Sequence, residues 1–320
     1  MLNYFLFELL DFIFGLLKLL NMKKICSLAI VATLLLGFSA CKKNAPSVEN
    51  SNTFGVTPPA VVAPPTPDLL VEVGAIPTVT GSTVFKFTKK ALIEEFTGEW
   101  CQWCPEGADQ LHKILAANPN KVVGIAVHDG DPMELPTFNA WIKTLTAVSG
   151  YPNGSVDRGK ASGRGSWNGE VATALTKPAN LGIAMVTKTK NNLATIKVFI
   201  AYKNAIQAGT SLSVMITEDK VPQSAAGAQK NAPTSTAIVD ANYKHGHVLR
   251  GVVTKDDGQY IALAKQEKYS IVEFKDVDLS KMNIVNMSNV SVVAFIHYNN
   301  DTRDVLNVQE AGLNEIKKWD

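Results

Sequence analysis

The feature that most constrains this chain is a pair of cysteines, Cys101 and Cys104, placed between two different hydrophobic periodicities. Residues 90–96, which run straight into the pair, are a candidate central strand. Residues 106–117 after it carry apolar side chains at helical spacing. The pair is therefore predicted to lie where a strand leads into a helix. The free N–H groups and the dipole at a helix start favour a negatively charged sulfur, which can attack a disulfide.

This spacing has a redox interpretation and three alternatives. In a redox pair, Cys101 attacks and Cys104 resolves the mixed disulfide, because two intervening residues let the second thiol reach back. The alternatives are a structural disulfide, half of a zinc site and two unpaired buried thiols. No second Cys-x-x-Cys and no His-x-x-x-His group is present to complete four zinc ligands, so we expect no metal.

Residues 1–40 are predicted to be a targeting segment outside the fold. Two lysines after Met22, a short apolar run and small residues directly before Cys41 form the arrangement of a bacterial lipoprotein signal peptide. We expect Cys41 to be lipidated and to hold the protein to the bilayer. An uncleaved anchor and a soluble secreted protein are the alternatives. The apolar residues 1–21 lie upstream of this arrangement and have two explanations. Either the protein truly starts at Met22, or these residues form a second membrane segment.

Composition excludes several classes of function. The 320 residues are enough for two domains, and 46% of them are hydrophobic. A net charge of +2 without a basic stripe argues against a nucleic-acid partner. No phosphate-cradling glycine-rich loop is present, and we expect no cofactor. Residues 41–68 are rich in proline and small polar residues, which predicts a disordered tether.

The remaining chain divides into two patterns. Over residues 69–178, apolar runs such as 121–127 alternate with helical patterns at 135–148 and around Trp167–Leu175, which predicts βαβ units and a mostly parallel sheet. Residues 179–320 change to short alternating runs separated by turn formers. This second pattern predicts an antiparallel β-sandwich, ending in a short helix over residues 311–319.

Residues 95–104, which read Glu-Phe-Thr-Gly-Glu-Trp-Cys-Gln-Trp-Cys, resemble the active-site segment of thioredoxin-fold proteins. The resemblance implies an α/β thioredoxin-like domain over residues 69–178. The alternating pattern that follows predicts the second domain, an all-β antiparallel, immunoglobulin-like sandwich over residues 179–320. The dipeptide between the cysteines differs from the Gly-Pro of thioredoxin, so the choice between oxidant and reductant stays open.

The same resemblance implies roles for individual side chains. Glu95 stands six residues before the first cysteine, where the family has an acid that assists proton transfer. Pro152, preceded by Tyr151, falls where the family has a cis-proline that faces the disulfide. Trp100 and Trp103 flank the pair, and we expect them to form a peptide-docking surface with Tyr151 and Pro152.

A second resemblance covers more of the chain. Residues 92–98 entering the cysteine pair, residues 245–250, and residues 292–296 before 304–308 are similar to the twenty-eight-kilodalton outer membrane protein family. Its members are lipoproteins of Gram-negative bacteria, so the resemblance implies an outer membrane location. The family's function is poorly defined.

Two hypotheses for function follow. The first is a membrane-tethered thiol–disulfide oxidoreductase that acts on the thiols or disulfides of exported proteins. The second is a non-catalytic envelope scaffold in which Cys101 and Cys104 form a static bridge. His245 and His247 lack a nearby third ligand, and polar loop positions are the preferred interpretation for both. The oligomeric state stays open.

Overall fold

The computed structural model describes residues 86–203, 209–225, 227–261, 269–301 and 303–319. The helices in this part of the chain are α1 (Cys104–Ala117), α2 (Pro136–Thr146) and α3 (Trp167–Leu175). Short 3-10 turns lie at Leu279–Lys281 and Met287–Asn289. The strands are, in chain order, β1 (Ala91–Thr97), β2 (Val122–His128), β3 (Asn153–Val156), β4 (Ser162–Gly163), β5 (Leu181–Lys190), β6 (Leu193–Tyr202), β7 (Thr210–Glu218), β8 (Val221–Pro222), β9 (Lys244–His245), β10 (Val248–Val252), β11 (Gln259–Ile261), β12 (Tyr269–Asp278), β13 (Val290–Tyr298), β14 (Val305–Gly312) and β15 (Ile316–Lys317).

The first strand, helix and second strand form one β–α–β unit. Both strands are buried along their whole length and pair in parallel, with Ala91 opposite Val122. Parallel pairing requires a crossover, which α1 supplies. This helix begins at Cys104 with a proline in its first turn and ends at Asn118, whose side-chain amide donates to the carbonyl of Ile114. The cysteine pair thus lies at the carboxyl end of β1.

A nine-stranded mixed sheet draws on strands from both patterns of the sequence. Its strand order is β14-β13-β7-β10-β2-β1-β3-β4, and β11 also pairs with β7. Strand β10 lies parallel to β2 with Val248 opposite Ala126, and the N–H of Ala126 donates to the carbonyl of His247 at 2.7 Å. Strands before and after residue 178 therefore belong to one sheet.

The predicted architecture, an α/β thioredoxin-like domain followed by a separate immunoglobulin-like sandwich, is therefore wrong. One buried cluster combines Phe96, Val127 and Phe138 with Leu249 and Phe295 from the later strands. Periodicity reports which face of a strand is buried, not which strand lies beside it, so the neighbour of β2 could not be predicted. The described residues are mainly β-sheet and lie in one compact unit.

A second sheet, of order β12-β6-β5-β15, packs against the first. Side chains from both sheets share one buried cluster, in which Ile183 and Ile196 meet Val214 and Val292. The result is a sandwich-like core formed by one large mixed sheet and one small antiparallel sheet. The site described below lies on the large sheet.

The terminal residues are extended, so the helix predicted over residues 311–319 is wrong. Strand β14 continues to Gly312, and after a turn β15 pairs antiparallel with β5. Trp319 then packs on Phe87, with ring centroids 6.2 Å apart. Sheet pairing and this aromatic contact outweigh the weak local preference for helix.

Gly154 on β3 is expected to tolerate no side chain, because an added Cβ would lie 2.5 Å from the Trp167 indole. Trp167 is fully buried and has little room to withdraw. We expect Gly154→Ala to lower the free energy of unfolding by about 1–3 kcal/mol through overpacking, as measured by urea denaturation. Gly163→Ala on the paired strand β4 meets open space and serves as the control. Equal losses in the two variants would contradict this interpretation.

Candidate functional site

The predicted cysteine pair forms a disulfide in the turn between β1 and α1. The Cys101 and Cys104 sulfurs are 2.10 Å apart, and their Cα atoms are 5.4 Å apart. The N–H of Cys101 donates to the carbonyl of Gly98 at 3.0 Å, and the N–H of Cys104 donates to the carbonyl of Cys101 at 3.3 Å. Cys104 is the first residue of α1. The pair therefore lies at the start of a helix, with Cys101 in the turn just before it.

Aromatic side chains flank the disulfide on both sides. Trp100 is 43% exposed and Trp103 is 37% exposed. The Trp100 Nε1 donates to the carbonyl of Asp129 at 2.6 Å, and its ring meets Tyr151 edge-on with centroids 5.1 Å apart. The guanidinium of Arg164 lies 5.9 Å from the Trp103 ring centroid. The three predicted docking aromatics thus surround the cysteine turn.

Two glycines make room for the Trp100 indole, although sequence analysis assigns them no role. A Cβ on Gly98 would lie 2.7 Å from the Trp100 Nε1, and a Cβ on Gly130 would lie 3.1 Å from the same atom. Gly130 also has a φ of +65°, in the left-handed region that favours glycine. In the sequence, only the positions of these glycines, just before the cysteine pair and just after β2, could have indicated that they make room for Trp100.

Glu95 and Pro152 approach the first turn of α1 from the sheet side. The Tyr151–Pro152 peptide bond is cis, as the thioredoxin resemblance implies. A Cβ on Gly107 would lie 2.7 Å from the Pro152 Cβ and 2.6 Å from the Glu95 Oε1. Gly107 follows Cys104 by about one helical turn, on the same face. The structure thus brings the predicted acid, the predicted proline and the cysteine pair to one place.

The Glu95 carboxyl is buried, and its Oε1 has no hydrogen-bond partner among the described residues. Burial disfavours the charged form and raises the pKa of Glu95 to about 8. At neutral pH the carboxyl therefore mostly keeps its proton. A carboxyl with this pKa can give a proton to a departing thiolate and take one back.

The raised pKa of Glu95 predicts that stability falls as pH rises. The folded protein holds this proton with a pKa of about 8 against an ordinary 4.5. Its stabilising contribution is therefore complete below pH 4.5 and is lost as pH rises towards 8. We expect the free energy of unfolding of the wild type to fall between pH 5 and pH 8 by on the order of 2–3 kcal/mol more than that of Glu95→Gln. Urea denaturation measures both values. Glu170→Gln, at a partly exposed position on α3, is the matched control, and parallel pH profiles for wild type and Glu95→Gln would refute the assignment.

Tyr151 is held in place by Asp129. Its hydroxyl donates to the Asp129 Oδ2 at 2.7 Å, and the Lys143 Nζ lies 2.5 Å from the Oδ1. Partial burial opposes ionisation, but hydrogen bonds from Lys143 and Tyr151 lower the pKa of Asp129 below its ordinary value. Burial and the bond to Asp129 raise the pKa of Tyr151, so its hydroxyl stays a donor. The aromatic surface beside the disulfide is thus fixed by an ionised carboxylate.

A buried polar cluster lies behind the cysteine turn and was not predicted as a unit. The His128 Nδ1 is 2.7 Å from the Asp131 Oδ2, and the His245 Nε2 is 3.4 Å from the Glu99 Oε1. The two imidazole rings meet edge-on at 4.8 Å. Burial, together with the neighbouring His128, lowers the pKa of His245 to about 3. His245 is therefore a neutral buried group, and nothing local in the sequence relates it to His128.

The histidines predicted to be polar loop residues do not form a metal site in the described part of the chain. His247 points away from His245 and lies near His112, with ring centroids 5.9 Å apart. Across the described residues, no group of three His, Cys, Asp or Glu side chains is arranged to hold a metal ion.

A segment from the later part of the chain covers the cysteine turn. We call residues 227–243, which lead into β9, the strap. The N–H groups of Lys230 and Ala232 donate to the carbonyls of Glu99 and Gln102, each at 2.8 Å. These bonds join the strap to the backbone on both sides of Cys101.

The strap changes the exposure expected of the disulfide. Gln229, in the strap, donates from its Nε2 to the carbonyl of Cys101 at 3.0 Å. Cys101 is 5% exposed and Cys104 is 1% exposed. A helix start was expected to present the first sulfur to solvent, but a distant segment buries it instead. Sequence reasoning missed the strap because its residues carry no hydrophobic period and contact a remote part of the chain.

The predicted lipid anchor Cys41 and the tether over residues 41–68 lie outside the described residues, so both stay predictions. Among the helices that the structure describes, none has the length and apolar character needed to span a membrane.

The fold and the site define a mainly β-sheet protein that carries a covered disulfide at a helix start. In a comparison with protein-family models, residues 139–317 match outer membrane protein Omp28. The chain belongs to this family of outer membrane proteins. The family resemblance seen in the sequence is confirmed, and so is the outer membrane location. The match begins after the cysteine pair, so it gives no support to a role for Cys101 or Cys104.

Solved structures give further likenesses at low sequence identity. HBP35 of Porphyromonas gingivalis matches with 17% identity and a TM-score of 0.60, over 73% of this chain and 78% of that one. This likeness shows the fold alone. Protein AGR_C_4864 from Agrobacterium tumefaciens aligns over 71% of this chain and 96% of its own, with 13% identity and a TM-score of 0.43. No curated protein matches the chain.

Proposed function

We propose that this outer membrane protein exchanges thiols and disulfides with exported proteins in the cell envelope. Cys101 is the sulfur that the client attacks, Cys104 is the sulfur released, and Glu95 supplies the proton. The client rests on side chains that surround the disulfide: Trp100, Trp103, Tyr151 and Pro152. A lipid on Cys41 would keep the reaction at the membrane surface.

The observation that carries the proposal is the buried, protonated Glu95 beside the first turn of α1. A buried polar atom without a hydrogen bond costs about 1–3 kcal/mol. Strongly shifted carboxyl groups of this kind are concentrated at functional sites. The Oε1 approaches Gly107, on the face of α1 that carries Cys104. A proton donor therefore lies on the side where a Cys104 thiolate would form.

The exchange is balanced in atoms and electrons when it starts from the disulfide. A client thiolate bonds to the Cys101 sulfur, the Cys101–Cys104 bond breaks, and the Cys104 thiolate takes the proton of Glu95. The second client thiol gives its proton to Glu95 and attacks the client sulfur, so the client disulfide forms and Cys101 leaves, to be protonated by water. Two electrons pass from the client dithiol to the protein. The reverse sequence reduces a client disulfide.

The difference in exposure between the two sulfurs supports these roles. The Cys101 residue keeps more accessible surface than Cys104, which is closed in by α1. An incoming thiolate therefore reaches Cys101 first. Attack on Cys101 also makes Cys104 the leaving group, close to the carboxyl that can protonate it.

The burial of the disulfide favours a second candidate, in which the protein is an envelope scaffold with a static bridge. Buried disulfides that no thiol reaches are inert. Under this alternative the aromatic surface binds a partner without redox chemistry.

The reduction potential of the Cys101–Cys104 bond separates the two candidates. We would equilibrate the purified mature protein in glutathione buffers and, for the lowest potentials, dithiothreitol buffers, and quantify free thiols by mass spectrometry after alkylation. A potential between about −270 and about −120 mV supports exchange, whereas a value below about −300 mV supports the static bridge. Oxidation of an unfolded dithiol peptide by the disulfide form and reduction of a peptide disulfide by the dithiol form would be followed in parallel, and the absence of both reactions would reject the exchange function.

A further inference from the structure

The strap pairs with the cysteine turn through its backbone. Lys230 and Ala232 are two residues apart and donate to Glu99 and Gln102 at either side of Cys101. Alternate N–H groups pointing to one side are what an extended strand presents to a neighbour. Any extended polypeptide offers the same groups, which is the basis of recognition by strand addition.

We propose that the strap occupies the place of the client, so that the client is an extended polypeptide that displaces the strap to reach Cys101. This inference rests on the proposed function, because it names the substrate class and the control of the same site. The client then bonds to the carbonyls of Glu99 and Gln102 and lies between Trp100 and Trp103. The covered state is the resting state of the protein.

The strap is attached at its base and weakly held along its length. Glu99 lies at both ends of the strap: it accepts a hydrogen bond from the N–H of Ser224 at 2.6 Å, just before the strap, and its Oε1 is 3.4 Å from the Nε2 of His245, just after it. The ladder between β8 and β9 closes the base, with Val221 opposite His245. The base can therefore stay in place while the middle moves.

No residue of the strap belongs to a hydrophobic core cluster of the described residues, although Ala232 and Ala237 are buried. Residues 228–243 contain no helix or strand in the part of the chain that the structure describes, and Ile238 is 83% exposed. The contacts to the cysteine turn are hydrogen bonds from Gln229, Lys230 and Ala232. Segments held by few buried apolar contacts open at low free-energy cost. The covering is thus suited to exchange with another polypeptide.

The first test measures access to the disulfide without a client. Lys230→Pro combined with Ala232→Pro removes both strap N–H donors, and we expect at least tenfold faster reduction of the disulfide by tris(carboxyethyl)phosphine than in wild type. Val239→Pro is the matched control, since its N–H makes no hydrogen bond with any described residue. Gln229→Ala keeps the backbone intact and is expected to raise the reduction rate about threefold. This variant keeps the test informative if the double proline variant does not fold. Equal phosphine rates in wild type, Gln229→Ala and the folded proline variant would overturn the inference.

The second test measures exchange with a ten-residue unfolded dithiol peptide and with an analogue N-methylated around its cysteines. We expect the proline variant to oxidise the unmodified peptide at least tenfold faster than wild type, and the N-methylated peptide to lose that gain. If phosphine access rises but neither protein oxidises either peptide and neither reduced protein cleaves the corresponding peptide disulfide, the proposed function fails and the strap does not occupy the place of a client. If wild type and variant oxidise both peptides equally fast, the strap inference fails while the proposed function stands.

Discussion

Cys101→Ser is expected to abolish exchange with a dithiol peptide, lowering the rate at least about 10³-fold, because removal of a nucleophile or of the attacked atom leaves no covalent path. Cys101 is the sulfur that retains access beneath the strap, and Trp100 and Trp103 flank it. The measurement is the rate of disulfide formation in a fluorescent dithiol peptide, made on full mature protein whose fold is checked by circular dichroism.

Cys104→Ser separates the roles of the two sulfurs. Starting from reduced protein and a peptide disulfide, Cys101 can still attack, but no second thiol releases the product. We expect a stable mixed disulfide between Cys101 and the peptide, visible by mass spectrometry, and none in Cys101→Ser. A mixed disulfide formed equally by both single variants would show that the sulfurs are interchangeable and would refute the assigned roles.

Arg158→Met is expected to be the most destabilising substitution away from the site. Arg158 and Glu94 are fully buried, with the Arg158 Nε 3.5 Å from the Glu94 Oε2. The guanidinium also lies 4.6 Å from the Phe295 ring centroid. Removing it leaves an uncompensated buried carboxylate, which costs about 3–5 kcal/mol. Urea unfolding at pH 8 measures the loss.

The pH dependence and a double variant test the cause of that loss. Burial raises the pKa of Glu94, and Arg158 opposes the rise. Without Arg158, the carboxyl is protonated more readily, so the deficit should shrink as pH falls towards 5. Glu94→Leu combined with Arg158→Met should recover most of the stability, because neither charge of this buried pair remains. A double variant as unstable as Arg158→Met would show that lost packing on Phe295 is the cause.

Local features of the fold could be predicted where neighbouring residues decide the outcome. Helix α3 has the bounds expected from its apolar spacing, Trp167–Leu175. Helix α2 differs by a few residues at its ends. The cysteine pair lies at a helix start because the strand pattern before it and the helical pattern after it are both encoded nearby.

Features that depend on distant contacts could not be predicted. The neighbour of β2 is β10, which the alternating pattern of the later chain assigned to another domain. Sequence analysis assigns no role to Glu99, yet this side chain binds Ser224 and lies near His245. Hydrophobic period and residue type describe the environment of a residue but not the identity of its partners. The position of Trp100 and Trp103 beside the disulfide could therefore be predicted from the sequence, whereas the strap that covers the disulfide could not.

The parallel contact between β2 and β10 has a consequence for how this protein can be divided. A gene fragment that stops at residue 178 would encode the disulfide but omit Leu249 and Phe295, which close the core over Phe96. It would also leave the edge of β2 without a neighbour, and bare strand edges promote aggregation. The chain before residue 178 and the chain after it share one core, so we expect that neither part folds when it is expressed alone or grafted onto another protein.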